Sequence, residues 1–99
     1  MQVNTIENNG TIVLEFHGRL DTTTAPEGEK LAVSAIEKSK DVTFDFTDLE
    51  YLSSAGLRVI LGAHKKLKAA GGRLTVAHPN DVVMKVFDIT GFSDIINIA

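Results

Sequence analysis

Hydrophobic and polar positions along the chain follow two patterns that alternate. Short apolar runs rich in β-branched and aromatic residues are bounded by polar turn residues, and between them lie longer stretches in which apolar residues recur every three or four positions. The short runs predict strands, at residues 2–6, 11–16, 42–46, 73–77 and 95–98. The longer stretches predict helices, at residues 24–38, at residues 54–70, and from residues 78–81 to Gly91.

Turn residues separate these elements. Asn8-Asn9-Gly10 predicts a tight hairpin between the first two strands, because Asn and Gly accept positive φ at low cost. Thr24-Ala25-Pro26-Glu27 has the pattern of a capping box at the start of the first helix. Gly71-Gly72 predicts the end of the second helix.

The order of elements predicts an α/β fold in a single domain spanning residues 1–99. An N-terminal β-hairpin followed by alternating helices and strands indicates a mixed, mostly parallel sheet of about five strands with three or four helices. Parallel crossovers bring the strand-to-helix junctions to one edge of the sheet. We therefore expect residues 21–24, 48–54 and 78–80 to lie close together, at the edge where ligands and partners usually bind.

Composition narrows the classes of function. The chain has 99 residues, no cysteine and a net charge of −3, which argues against nucleic-acid binding and excludes thiolate chemistry and cysteine metal sites. No apolar run is long enough to span a bilayer, and Met1-Gln2-Val3-Asn4 lacks the features of a signal peptide. We therefore expect a cytoplasmic protein without membrane association.

Two adjacent serines lie at the predicted start of the second helix. A hydroxyl there can accept from free backbone N–H groups, and the helix N-terminus suits an anion such as a phosphate, while Gly56 permits a close backbone approach. Ser54 can therefore be a helix cap or a site for a phosphate. The sequence around it lacks the first glycine of G-x-S-x-G, so a serine hydrolase is not predicted.

No other residue pattern predicts an enzyme. The phosphate-binding loop and the dinucleotide fingerprint are both absent, and His17, His64 and His78 lack a second ligand at metal-binding spacing. The acidic residues near the third strand are more typical of solvated loop carboxylates than of a Mg²⁺ site. We expect no catalytic residue, no cofactor and no metal.

Three segments resemble the STAS domain family, in particular its single-domain bacterial anti-sigma factor antagonists. Residues 18–25 resemble the family's G-x-L-D segment, residues 44–61 resemble its strand and phosphoserine helix, and residues 86–92 resemble its closing helix and glycine. The segments occur in the family's order and span nearly the whole chain.

The resemblance implies a switch in transcription control. Unphosphorylated family members bind an anti-sigma factor that is also a serine kinase, which frees the sigma factor. The kinase phosphorylates a serine and the antagonist dissociates, and a PP2C-type phosphatase then restores it. By alignment to Gly56-Leu57, that serine is Ser54 in this chain.

The same alignment implies a surface for binding the partner. Asp21 matches the family's acidic turn residue, and the neighbouring positions complete the surface: Thr22, Thr23, Ser53, Gly56, Leu57 and Arg58. Many relatives have Asp where this chain has Ser53, so the choice between Ser53 and Ser54 as phosphosite rests on alignment alone. We expect a monomer or a weak dimer.

The resemblance leaves a second function open. STAS domains also occur as small-molecule or nucleotide-binding sensors and transporter accessories, and converging helix N-termini would suit such a ligand.

Many relatives also continue into a fourth helix after the last strand, whereas this sequence stops at Ala99. We therefore expect one sheet face to be less covered than in those relatives.

Overall fold

The computed structural model describes residues 1–99, which form five strands, three α-helices and one 3₁₀ turn. In chain order the elements are β1 (Gln2–Asn8), β2 (Thr11–Leu20), α1 (Ala25–Lys38), β3 (Asp41–Leu52), α2 (Ser54–Ala69), β4 (Arg73–Ala77), α3 (Asp81–Thr90), the 3₁₀ turn (Phe92–Asp94) and β5 (Asn97–Ile98). The predicted α/β class, with its number of strands and helices, is confirmed.

The strands lie in the sheet in the order β1-β2-β3-β4-β5. Strands β1 and β2 are antiparallel and all later neighbours are parallel, as the sequence predicted. The hairpin turn consists of two residues with positive φ, Asn9 at 51° and Gly10 at 87°. These values are typical of the turn whose twist matches that of the flanking strands.

The helices cover one face of the sheet. In β2 the side chains of Ile12, Leu14 and Phe16 are buried, whereas the alternate side chains remain partly exposed. Right-handed crossovers between strands that follow one another across a sheet place every helix on the same side. The result is a two-layer molecule with one open sheet face. None of the three helices combines the length and the hydrophobicity needed to cross a lipid bilayer.

Aromatic side chains form the centre of the core between the two layers. The ring of Phe16 lies 5.1 Å from that of Phe44 and 5.4 Å from that of Phe46, centroid to centroid. Such tilted and edge-on arrangements are each worth about 1 kcal/mol beyond the area they bury. No polar side chain is buried. The free energy gained by burying apolar side chains is therefore not reduced by the cost of burying polar groups without hydrogen-bond partners.

Strand β3 is much longer than predicted. It continues through Leu52, so residues 48–52, predicted to lie in a strand-to-helix junction, belong to this strand, and all of them except Glu50 pair with β2. Two shifts in register, after Glu15 and after Gly18, each add one residue to β3. The buried positions then change from every second residue to every third, at Phe46, Leu49 and Leu52, and the alternation that marks a strand is lost.

Two further predictions about local structure are wrong. Thr24 is the N-cap of α1 but does not form a capping box, because its hydroxyl donates to the carbonyl of Arg19 instead of accepting from the helix. Strand β5 is only two residues long, because the preceding residues close the 3₁₀ turn through a hydrogen bond from the backbone N–H of Ile95 to the carbonyl of Phe92.

The start of α2 is seated on the end of β2 through Gly56. A Cβ at this position would lie 2.7 Å from the Leu20 carbonyl oxygen and 2.6 Å from a methyl carbon of Leu52. Both distances are shorter than real Cβ contacts allow, so only glycine fits here. Gly62, in the same helix, has no neighbouring atom within 4 Å of the equivalent position.

Replacing these two glycines by alanine should have opposite effects. We expect Gly56→Ala to lower the free energy of unfolding by about 1–3 kcal/mol through overpacking. Gly62→Ala, the matched control, should raise it by about 1 kcal/mol because alanine favours the helix. Urea denaturation of both variants measures the difference, and equal effects would show that the close contact at Gly56 is not a constraint.

Asn80 should contribute to stability in two separable ways. Its Oδ1 accepts from the backbone N–H of Val83 at 2.8 Å and so caps α3, while its Nδ2 donates to the carbonyl of Leu49 at 2.9 Å. We expect Asn80→Ala to cost about 2 kcal/mol, because it removes both bonds. Asn80→Asp keeps the cap but cannot donate, and should cost about 1 kcal/mol in the same urea titration.

Candidate functional site

The carboxyl ends of β2, β3 and β4 meet at one edge of the sheet, as their parallel pairing requires. The backbone N–H of Ser53 donates to the carbonyl of Leu20 at 3.0 Å, which joins the end of β3 to the end of β2. Asn80 joins the start of α3 to the late part of β3 through Leu49. The edge is therefore held together by hydrogen bonds that involve main-chain carbonyls.

The two serines at the start of α2 have different environments. Ser53 is the N-cap, and its side-chain oxygen accepts from the backbone N–H of Gly56 at 3.3 Å. Ser54 is the first helical residue, its side chain is exposed, and its hydroxyl forms no hydrogen bond within the protein. The interpretation of Ser54 as the helix cap is therefore wrong, because the residue before it occupies that position.

The turn after β2 is organised by Asp21. Its Oδ1 accepts from the backbone N–H of Thr23 at 3.0 Å and of Thr24 at 3.2 Å, and the hydroxyl of Thr24 accepts from the Asp21 N–H. These backbone donors, above all that of Thr24, hold the pKa of the Asp21 carboxyl below its ordinary value, and Arg19 adds to this effect. The turn therefore presents a carboxylate at neutral pH.

Arg19 and Tyr51 belong to the same surface, and sequence reasoning missed both. They are cross-strand partners, and the guanidinium carbon of Arg19 lies 4.2 Å from the centre of the Tyr51 ring. The Nε of Arg19 also lies 3.5 Å from Oδ2 of Asp21. The pairing depends on the part of β3 that the sequence did not predict to be a strand, so no pattern in the sequence indicated it.

The structure brings most of the predicted partner-binding residues to one surface but buries two of them. Asp21, Thr22, Thr23 and Arg58 are at least partly exposed beside the two serines. Gly56 is buried, and Leu57 packs into the core. Both therefore seat the helix and cannot offer a side chain to a partner. We call the surface formed by Arg19, Asp21, Thr22, Thr23, Tyr51, Ser54 and Arg58 the docking edge.

A groove of about 310 Å³ runs between α1 and α2 from this surface. Its walls are mostly small aliphatic side chains, and Thr22 and Arg58 line its end at the docking edge. At the nearby helix N-termini, Ser53 caps α2 and Asn80 caps α3, and each side chain accepts from one backbone N–H group.

Sequence comparison connects the chain to known regulators. The STAS domain model matches residues 2–99. The chain is 31% identical over 99 residues to an anti-sigma-B factor antagonist of Bacillus subtilis, covering 100% of this chain and 91% of the relative.

Comparison with solved structures gives the same fold. A crystal structure of an anti-sigma factor antagonist from Mycobacterium paratuberculosis is similar with a TM-score of 0.88 at 20% identity, covering 98% of this chain and 83% of the other. The antagonist SpoIIAA is similar in its unphosphorylated form, with a TM-score of 0.79 at 21% identity and coverages of 99% and 87%. Its phosphorylated form, from Bacillus, gives 0.78 at 23%, with coverages of 99% and 91%. With the family model matching almost every residue, the chain belongs to the STAS domain family.

Proposed function

We propose that this protein is an anti-sigma factor antagonist whose binding to an anti-sigma factor is abolished by a phosphate on Ser54. The observation that carries the proposal is the division between the two serines. Ser53 is used as the helix cap, whereas Ser54 is exposed with a free hydroxyl. The names of the relatives support the class of function, and the solved phosphorylated form of SpoIIAA supports the modification.

A phosphate on Ser54 is compatible with the folded chain. The first turn of α2 presents backbone N–H groups and a partial positive charge, which stabilise a nearby anion. Arg58 follows four residues later on the same helix and is exposed, at the spacing that allows an ion pair with a group on Ser54. The modification therefore adds charge at the surface without removing a contact that holds the fold.

The same phosphate is incompatible with a docked partner. It brings a charge of about −1.5 to −2 and three strong acceptor oxygens that must be desolvated when the surface is covered. Like-charge or unmatched contacts in an interface cost several kcal/mol, and each 1.4 kcal/mol weakens binding about tenfold. Release of the partner then needs no conformational change in the antagonist.

In this proposal two enzymes set the phosphorylation state of Ser54. The anti-sigma factor is the serine kinase that modifies Ser54, and a PP2C-type phosphatase reverses the modification. Asp21 offers a fixed carboxylate beside Ser54, so we infer a complementary cation on the anti-sigma factor. The antagonist itself supplies a surface and an acceptor hydroxyl.

Variants at the two serines should separate the switch from the fold. We expect Ser54→Ala to keep its stability and to bind the anti-sigma factor whether or not ATP is present, because it cannot be phosphorylated. Ser54→Asp should bind about tenfold more weakly or worse, because it places a charge in the interface. Isothermal titration calorimetry measures both affinities.

Ser53→Ala is the matched control for these variants. It removes the cap and should lower the free energy of unfolding by about 1 kcal/mol, while mass spectrometry still detects phosphate on Ser54 after incubation with the kinase and ATP. Phosphate on Ser53 of the unaltered chain, or equal affinities of Ser54→Ala and Ser54→Asp, would contradict the proposal.

Asp21→Asn should weaken binding without unfolding the turn. The asparagine Oδ1 can still accept from the backbone N–H groups of Thr23 and Thr24, so the turn is kept while the negative charge and its ion pair with Arg19 are lost. We expect slower association and a smaller dependence on salt in surface plasmon resonance. An unchanged association rate at low salt would show that Asp21 does not face the partner.

The lowered pKa of Asp21 makes a separate prediction for the free protein. A carboxyl with a lower pKa in the folded state stabilises the fold above its unfolded pKa, and this contribution is lost as the pH falls through the folded value. The unaltered chain should therefore lose stability relative to Asp21→Asn as the pH falls below about 4. Thermal unfolding of the two proteins across this range measures the difference.

A further inference from the structure

Strand β1 forms one end of the sheet and pairs only with β2. The two-residue turn makes Asn8 and Thr11 a hydrogen-bonded pair, and such pairs alternate along an antiparallel ladder. The backbone N–H and C=O groups of Asn8, Ile6, Asn4 and Gln2 therefore point toward β2. Those of Val3, Thr5 and Glu7 point away from it and have no partner elsewhere in the protein.

This edge lacks the features by which natural sheets avoid pairing with other chains. Residues 2–8 contain no lysine, arginine or proline, and Glu7 is their only charged residue. The register with β2 is continuous from Gln2 to Asn8 without a bulge. Apart from Val3, every residue of the strand is exposed. Such an edge is a template for a further strand. The opposite edge of the sheet, β5, is only two residues long.

We propose that β1 pairs antiparallel with β1 of a second copy of this chain, around a two-fold axis at Thr5. The residues whose backbone groups point away from β2 then face the same set of residues of the second copy. Thr5 lies opposite Thr5 of the other copy, and Val3 lies opposite Glu7 on either side of the axis. This arrangement pairs all six outward backbone groups of each copy and joins the two sheets into one. A slip of two residues would bring Glu7 opposite Met1, which lies outside the strand.

The side chains agree with a second copy as the occupant. Ile6 is 43% exposed on the open sheet face, and in this register the two Ile6 side chains become diagonal neighbours within reach of each other. Each Glu7 lies opposite a valine, and the two Glu7 residues are about 14 Å apart along the strands, so no like charges meet. The strand is therefore self-complementary in shape and charge.

The proposed interface is separate from the docking edge. It uses the long side of β1, whereas Ser54 lies at the carboxyl ends of the parallel strands, at the start of α2. The pairing therefore does not depend on the proposed phosphorylation. Seven facing residues on each copy and little apolar area indicate a weak dimer that forms as concentration rises.

Single cysteines provide a direct test, because the chain has none of its own. In the proposed register the two Cα atoms at residue 5 are about 5.5 Å apart, within the range that a disulfide spans. We expect Thr5→Cys to form a disulfide-linked dimer under mild oxidation. Glu7→Cys, the matched control on the same edge, should remain at least tenfold less cross-linked, because its copies are too far apart.

A proline at the same position tests the hydrogen bonds. The N–H of Thr5 points away from β2, so Thr5→Pro leaves the hairpin ladder intact but removes two bonds between the copies. Sedimentation equilibrium should show a dimer of the unaltered chain that this variant weakens about ten- to hundredfold, with an unchanged circular dichroism spectrum. Thr5→Val should dimerise like the unaltered chain.

Three results would overturn the proposal. The first is a chain that remains monomeric up to millimolar concentration. The second is a dimer that Thr5→Pro does not weaken, which would place the contact on another surface. The third is equal cross-linking of Thr5→Cys and Glu7→Cys, which would show that no fixed register exists.

Discussion

The close contact between the start of α2 and the end of β2 is the constraint on which the docking edge depends. The carbonyl of Leu20 accepts from the backbone N–H of Ser53, and Gly56 lets the first turn of the helix rest against the same carbonyl. This contact is formed by main-chain atoms, and it is possible because Gly56 has no side chain. It therefore holds Ser54 and the Asp21 turn in a fixed relation without using either side chain. A change of charge on this surface would not alter the contact between α2 and β2.

The two adjacent serines have different roles: Ser53 caps the helix, and Ser54 is the residue that carries the proposed phosphate. A hydroxyl that caps a helix cannot take a phosphate without losing its hydrogen bond to the first turn. Ser53 supplies the cap, so Ser54 is free for chemistry at its surface position. The proposed switch and the proposed pairing of β1 likewise use different parts of the molecule. In these two proposals, regulation and self-association therefore use parts of the domain that are separate from each other and from the helix cap.

The sequence predicted the layout of the fold well, because most elements keep one regular period and end at turn residues that allow one outcome, such as Asn9-Gly10. It failed where that regularity is interrupted. Because of the bulges in β3, its second half does not show the alternation typical of a strand. The contact between Arg19 and Tyr51 lies in this half and was therefore not predicted. The meeting of the strand-to-helix junctions at one edge of the sheet was predictable from the order of the elements. The roles of two adjacent identical residues were not, because they differ only in backbone geometry.

The uncovered face of the sheet has a consequence for how this domain diverges. Residues such as Thr43, Asp45 and Thr75 stand on the side that no helix covers, while their sequence neighbours Phe44 and Val76 are fully buried. Drift on the outer side does not disturb the packing on the inner side. In β2, β3 and β4, substitutions on the outer side can therefore change the surface of the domain while the buried side keeps the core intact.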